Sequence, residues 1–547
     1  MKYEVQNIPD RMNFFKLLIS KFSAFLAIIV CYTVMPSFGQ TEENPNILII
    51  MTDQQAWDAV GYSGNKAVLT PNLDRLASEG VNFSHAVTPC PVCVPARTSV
   101  LTGRLTETTT IRGNRDANTG ECYYPTFDEI LVKRGYTSEY CGKFHAPEHM
   151  ARVYMNPPVE GMSGTEPIIH LEPLYVKNLK KKVDKRPLEA GELYETTFYG
   201  STIPYRLHPT DRYYKYMPSG EIPEKEKEKT LSQADIHGVL DLPAEYTITA
   251  VQGKQAIEAL ERLKDRQFIL TCSFHCPHVP ITPSEPYASM YKAGDMPVPA
   301  SIADTRDNSP YKPGELIPPY NEAEKVKYMI ANYYAFVTEI DDWVGKILEK
   351  LDVLELAENT LVVFVSDHGE MLGAHGMCGK FNFYEESVRV PFLMRFPGKI
   401  IAGQTIKTPV SILNIHPTVL DYAGVSHIPT DGYSLRGVME GREAPKYDFA
   451  VSEWQWKKEN VPSIMIRTDN WKLMTTHRRG GTNVEVLYDL KNDPFELINL
   501  LGSNPDRLKY RKTSEELRSR LVAYLDDVNS PLAEGVGKRV LIREYPD

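Results

Sequence analysis

The chain has 547 residues, 42% hydrophobic and 24% charged, the composition of a globular protein long enough for one large and one smaller domain. Its formal net charge of −10, from 61 basic and 71 acidic side chains, excludes a general nucleic-acid binder. It still allows a local basic site for an anionic substrate.

Residues 1–39 have the pattern of a secretory signal peptide, with translation starting at either Met1 or Met12. Lys16 precedes the apolar run Ala24-Phe25-Leu26-Ala27-Ile28-Ile29-Val30, and Ser37-Phe38-Gly39 stands before Gln40. The run is short for a membrane span, so no stable span is expected once the signal is removed. Ile28-Ile29-Val30-Cys31 is a poor lipoprotein box because Val precedes the Cys. The expectation is export to the periplasm or medium, with a lipoprotein anchor the weaker alternative.

Residues 46–52 form a continuous apolar run ending at Asp53, the pattern of a strand buried on both faces of a parallel sheet. Residues 71–80 predict a helix with Pro in its first turn and Gly at its end, and 127–135 repeat that pattern. Strands are expected at 137–141, 268–272 and 361–365, and a long helix at 322–351. Alternating strands and helices predict an α/β fold, a mixed, mainly parallel sheet sandwiched by helices. This catalytic domain is expected over 40–440. It carries an insertion near 151–240 that is rich in charge, Tyr and Pro. Over 441–547 the style changes to strand patterns at 463–467, 471–474 and 487–490 and a helical run at 514–528. These predict a smaller antiparallel sheet with a helix.

The eight cysteines, at 31, 90, 93, 122, 141, 272, 276 and 378, are too sparse for a disulfide scaffold but allow one or two bridges. Cys90-Pro91-Val92-Cys93 is also a Cys-x-x-Cys of redox type. The run that opens at Cys93 has a different character: Cys93-Val94-Pro95-Ala96-Arg97, then Leu101-Thr102-Gly103-Arg104. It resembles the signature of the type I sulfatases, members of the alkaline phosphatase superfamily. In that family the Cys is converted to formylglycine, an aldehyde nucleophile, by a formylglycine-generating maturation enzyme. Val94 departs from the smaller residue the family prefers.

The resemblance extends over about 45–500. Asp53-Gln54 and Asp367-His368 each follow a predicted strand, where open α/β sheets place their sites. They match the family's metal ligands, although many relatives have Asp in place of Gln54 and Asn in place of His368. Mostly oxygen donors favour Ca²⁺, with Mg²⁺ or Mn²⁺ as alternatives. The stretch 135–145 resembles the second sulfatase signature and implies that Lys143 and His145 contact the formylglycine and the sulfate. His278 and Lys380 match the family's substrate-contacting His and Lys, and Asn114 is a further substrate-binding candidate. His275 creates a His-x-x-His with His278, but no Glu-bearing zinc-protease helix surrounds it. Arg97, Lys143, Lys380 and the metal would neutralise an anionic sulfate ester, and the helix expected after Cys93 would point its N-terminus at it.

The function implied is an exported sulfatase acting on a sulfated polysaccharide or its oligosaccharides, such as ulvan or a glycosaminoglycan. Three rivals are a formylglycine-dependent phosphonate monoester or phosphodiester hydrolase, a silent carbohydrate-binding protein, and a thiol oxidoreductase at Cys90 and Cys93. Lys180-Lys181-Lys182, Lys185-Arg186 and Tyr199, Tyr205, Tyr213, Tyr214 and Tyr216 are either a lining for a sulfated-sugar cleft or, for the lysines, a solvated charge run.

Overall fold

The computed structural model describes residues 44–155, 193–198, 201–206, 238–240, 243–311, 320–425, 428–455, 462–478 and 482–539. The signal-peptide expectation lies outside the described residues, as does most of the 151–240 segment, including its lysine cluster. From Pro45 onward the chain forms one compact unit.

The apolar run after Pro45 is β1, Asn46–Thr52, buried at every position. Side chains alternate across a strand. Leu48 and Ile50 therefore enter one core while Ile47, Ile49 and Met51 enter the other. A strand with core on both faces has no polar face, which is why it reads as a continuous apolar run. The other strands of its sheet are β2 (Val81–Phe83), β3 (Thr137–Gly142), β4 (Phe268–Ser273), β5 (Thr360–Ser366), β6 (Phe392–Arg395) and β7 (Gln404–Ile406). The seven strands lie in the order β7-β2-β6-β5-β1-β4-β3. Among them β6 alone runs against its neighbours.

One face is covered by α1 (Pro71–Glu79), and by α4 (Ile248–Leu263) and α5 (Ala323–Val353) later in the chain. The other is covered by α2 (Cys93–Thr102), α3 (Phe127–Val132) and α6 (Ile415–Tyr422). A capping box of Thr126 and Glu129 starts α3. The helix stops at Val132, short of the expected Gly135, because the exposed Lys133 and Arg134 turn into Gly135 at φ +97°.

A second sheet of β8 (Phe449–Gln455), β9 (Pro462–Thr468), β10 (Trp471–Arg478) and β11 (Thr482–Asp489) is antiparallel throughout. On one face α7 (Arg511–Asp527) packs Leu517, Leu521 and Leu525 with Ile464, Ile466, Leu473 and Leu487. On the other, Met465, Met474 and Tyr488 meet Phe383, Tyr384 and Val388. That contact surrounds a buried charge network. Lys472 pairs with Glu385 at 2.8 Å and Glu496 at 2.7 Å, and donates to the Phe383 carbonyl at 2.9 Å. Arg467 pairs with Glu385 at 3.1 Å. Within the insertion, strands Leu193–Phe198 and Ser201–Arg206 form a hairpin that continues onto Val239–Leu240.

The seven described cysteines are all free thiols, so none of the bridges the sequence allows is formed among them.

The buried charges can be tested by substitution. Lys472→Ala leaves Glu385 and Glu496 short of a partner and should lower the unfolding free energy in urea by about 3–5 kcal/mol. Asp128, fully buried, accepts from Ser138 Oγ at 2.7 Å and Tyr154 Oη at 3.3 Å, and burial pushes its pKa up to about 7. The folded chain therefore keeps a proton that the unfolded chain loses near pH 4, so this contribution declines as pH rises through about 7. Asp128→Asn should flatten the thermal-unfolding midpoint between pH 5 and pH 8, in the range set by that shift.

Candidate active site

The strand register places the chemistry. Thr52 lies opposite Ser366, so Asp53 and Asp367 leave β1 and β5 side by side. Gly142 lies opposite Ser273, so Lys143 leaves β3 beside the turn after β4 that carries His275 and His278. Gly142 sits at φ +87°, and a Cβ there would stand 2.1 Å from the Ser273 carbonyl oxygen. Only glycine allows this exit. All four segments emerge from the carboxyl ends of parallel strands, where ligands bind in open α/β sheets.

Cys93 is the first residue of α2 and is fully buried. Its Sγ lies 3.1 Å from His368 Nε2, 3.1 Å from Lys380 Nζ and 3.7 Å from Asp53 Oδ1. Asn114 lies beside it, its Oδ1 accepting from the Val94 amide at 3.3 Å. One turn on, Arg97 passes beneath the cluster. It donates from Nε to Asp367 Oδ2 at 2.7 Å, and from Nη1 to the Lys143 carbonyl at 2.6 Å and to Ser273 Oγ at 2.8 Å. Its Nη2 lies 3.8 Å from Asp53 Oδ2. Lys143 Nζ donates to Asp53. Lys380 Nζ also donates to Gln54 Oε1 at 2.6 Å.

The buried cations set the protonation of the cluster. Burial alone would raise the Asp53 carboxyl, but the positive charges beside it, Lys143 first and then Lys380 and Arg97, outweigh it and hold the carboxyl well below its usual range. Burial and Asp53 push the Cys93 thiol up, and Lys380, Lys143 and His368 reverse that and lower it. Burial lowers His278, aided by Lys380, and it lowers His145, aided by Lys143 and Arg97. Both imidazoles are therefore held neutral. His275 is lowered in the same way, and its ring lies 5.2 Å from that of His278.

The residues fit a divalent cation. Ligand atoms of Asp53, Cys93, Asp367 and His368 lie within 4.8 Å of one another, all buried. His368 Nδ1 contacts the Gly369 carbonyl at 3.0 Å, which turns Nε2 towards the other donors. Gln54 Oε1 faces the same group through Lys380. Gln54 adopts φ +66°, a conformation fixed by Asp367 Oδ1 accepting from its amide at 3.1 Å and by Tyr333 Oη donating to its carbonyl at 2.5 Å.

The structure thus brings together around one point Cys93, Arg97, Lys143, Asp53, Gln54, Asp367, His368 and Lys380. Asn114 borders the group through Val94, and His145 and His278 lie near enough for the charges of Lys143, Lys380 and Asp53 to act on their rings. His275 is held by its amide bond to Gln252 Oε1 at 3.0 Å and lies outside the four-residue donor group. Three supports of the site, Ser273, Tyr333 and Glu370, carry no separate signal in the sequence. Each is an ordinary polar residue whose role depends on tertiary contact.

This fold and site suit a hydrolase of anionic esters, with the buried Cys93 thiol set among cations at the end of an α/β sheet. The family model described as Sulfatase matches residues 45–425, and the chain belongs to the sulfatase family. It is a sulfuric ester hydrolase. A second model, N-sulphoglucosamine sulphohydrolase, C-terminal, matches residues 373–526. An arylsulfatase of Clostridium perfringens is 29% identical over 92% of this chain and 98% of its own. An ulvan-active sulfatase of Formosa agariphila is 28% identical over 92% and 88%. Among solved structures, a phosphonate monoester hydrolase from Silicibacter pomeroyi shares the fold at a TM-score of 0.68 and 20% identity, covering 89% of this chain and 96% of that one. Among the described residues no helix is long and apolar enough to cross a membrane.

Arg97→Lys tests the rigid fork at the centre of this site. A single ammonium cannot bridge Asp367, Ser273 and the Lys143 carbonyl together, so kcat for sulfate release should fall about 100-fold or more while the chain remains folded by circular dichroism.

Proposed function

We propose that the protein is an exported sulfatase that removes sulfate from a sulfated polysaccharide or its oligosaccharides, with formylglycine made from Cys93 and a bound Ca²⁺. The observation that carries this reading is the convergence on Cys93 Sγ of Lys380, His368 and Asp53 within 3.7 Å, with Arg97 beneath them. The ulvan-active relative supports a polysaccharide substrate, and the pattern of residues 1–39 supports export. Mg²⁺ and Mn²⁺ are the alternative metals. The residues that would hold the ion are Asp53, Gln54, Asp367 and His368, and a divalent ion there supplies positive charge to the sulfuryl oxygens. Formylglycine supplies an oxygen nucleophile whose product can be released without water attacking sulfur.

The chain's own groups do the rest. Lys143 and Lys380 place ammonium groups on either side of the nucleophile position and offset the charge of the arriving sulfate ester. Arg97 holds Asp367 and, through the Lys143 carbonyl, the turn that carries Lys143. Asn114 fixes the start of α2, whose N-terminus faces the same anion. His278 Nδ1 contacts the Val279 carbonyl at 2.7 Å, which leaves Nε2 to hand a proton to the departing alcohol oxygen. Burial first and Lys380 second hold His278 neutral, and an anion between Lys380 and Lys143 would offset the second of these and favour the protonated ring. His145 Nδ1 is buried with no hydrogen-bond partner, which supports its reading as the base that would accept a proton when the nucleophile is regenerated.

The test is sulfate release measured by ion chromatography. The protein is co-expressed with a formylglycine-generating enzyme, the conversion is checked by mass spectrometry, and a panel of sulfated oligosaccharides is supplied. Release by the parent and none by Cys93→Ala is the expected result. Turnover of a phosphonate monoester with no sulfate released from any glycan, by converted protein, would overturn the reading in favour of a phosphonate hydrolase.

A further inference from the structure

Glu370 is buried two residues beyond His368, at 1% exposure, and no step of the proposed reaction uses it. Its two oxygens face different parts of the site. Oε2 accepts from Gln54 Nε2. Oε1 accepts from the Leu372 amide at 3.2 Å and from the Gly379 amide. The Gly379 carbonyl in turn accepts from the Met371 amide at 2.9 Å, so both ends of the 371–379 loop close against Glu370. The residue leaving that closed neck is Lys380, whose Nζ contacts Cys93 Sγ and Gln54 Oε1.

Three N–H groups on one carboxylate form an arrangement of fixed polarity. A side-chain amide has a donor end and an acceptor end that differ little in shape, and its orientation is decided by its partners. Glu370 accepts and does not donate here, so it takes the NH₂ end of Gln54. The carbonyl end is thereby directed to Lys380 and the cluster of donor atoms around Cys93. Without this partner the amide could turn its NH₂ towards Lys380 and the incoming cation, where a donor is repelled. The same carboxylate fixes the backbone from which Lys380 reaches the nucleophile.

We infer that Glu370 is a positioning residue that sets the orientation of the Gln54 amide and the reach of Lys380, coupling the metal-binding end of β1 to the sulfate-binding lysine. This rests on the sulfatase reading of the site and assigns a role beyond it. The polarity makes a reciprocal pair of substitutions diagnostic. Glu370→Gln sets an NH₂ group against Gln54 Nε2 or against the loop amides. Gln54→Glu sets two carboxylates face to face. The double variant, Gln54→Glu with Glu370→Gln, exchanges the two groups. The amide now at position 370 donates its NH₂ to one oxygen of the carboxylate at position 54, and the other oxygen still accepts from Lys380. The carbonyl end of that amide still accepts from the loop N–H groups.

The experiment compares the parent, both single variants and the double variant. Apparent Ca²⁺ affinity is read from the calcium-dependent rise in the thermal-unfolding midpoint, inhibition by inorganic sulfate is read alongside kcat, and midpoints are also recorded in chelator. Each single variant should lose about tenfold or more in Ca²⁺ affinity, and should bind inorganic sulfate more weakly. The double variant should recover most of both losses, together with the chelator midpoint. A Glu370→Gln variant within about twofold of the parent in both affinities would overturn the inference, as would a double variant no better than either single. If Glu370→Gln does not fold, Gln54→Glu and the double variant decide the question, because only the pairing predicts rescue. The midpoints in chelator read the pairing independently of activity. A converted parent that turns over a phosphonate monoester and releases no sulfate therefore refutes the sulfatase reading and leaves this test intact.

Discussion

The site depends on one buried ion pair, Arg97 Nε with Asp367 Oδ2 at 2.7 Å. Both side chains are almost fully buried, and a single charge so placed would be strongly unfavourable. Burial works against the Arg97 charge, but Asp367 and, further down, Asp53 outweigh it and strengthen the guanidinium's hold on its proton. Through Nη1 Arg97 links β4 at Ser273 and the exit of β3 at the Lys143 carbonyl. Helix α2, which carries Cys93, is thereby fixed to the three strands that supply Asp367, Lys143 and the histidine turn. The pair is costly to break, which makes it a rigid reference for geometry that must be held to a fraction of an ångström.

Around this reference the charges nearly balance. Asp53 and Asp367 are negative, Arg97, Lys143 and Lys380 are positive, and every one of them is buried. Such a cluster can accept both an anion and a divalent cation because each arrival offsets the other. The lysines stand on the nucleophile side, and the carboxylates with His368 form the donor group. The second sheet supports the same machinery from further away. Lys472 and Arg467 bind Glu385, five residues beyond Lys380, and the Phe383 carbonyl accepts from Lys472. The segment carrying Lys380 is thus clamped from both sides, by Glu370 before it and by the antiparallel sheet after it.

Much of this was legible in the sequence because the determinants are local. β1 and β5 are apolar runs that end in an acidic pair, and α5 keeps a helical period over its whole length. Other elements were not marked. β2, β6 and β7 are three or four residues long, too short for any period to show. Helix α4 runs unbroken through Gly253, a residue of poor helix propensity that weakens its pattern in the sequence. A Cβ at that position would lie 2.4 Å from the Trp343 ring of α5, so the glycine serves the packing of two helices and weakens the local signal for one. The first strand of the second sheet, β8, leaves no such mark, because its polar Ser452 and Glu453 are buried, Glu453 by bonds to Glu107 and Pro89 far off in the chain.

The site itself shows the same division between side chains named by their motif and side chains that only a folded chain can connect. Cys93 and Arg97 are one helical turn apart, so a single short motif reports both the proposed nucleophile position and the guanidinium beneath it. Asp53, Lys143, His278, Asp367 and Lys380 are each readable because a strand end or a family pattern precedes them. Glu370 belongs to the other kind. Its partner Gln54 lies 316 positions away, and neither residue alone implies the other. The departures at Gln54 and His368 from the more common Asp and Asn acquire a physical sense only in that context. An amide can serve as an oxygen donor if something fixes which end points inward, and an imidazole can serve as a nitrogen donor if its second nitrogen is held. Glu370 and the Gly369 carbonyl meet those two requirements from adjacent positions in the chain. On the proposed reading Gln54 and His368 therefore form a single unit with their supports, and replacing either by its commoner counterpart would leave a support with the wrong polarity.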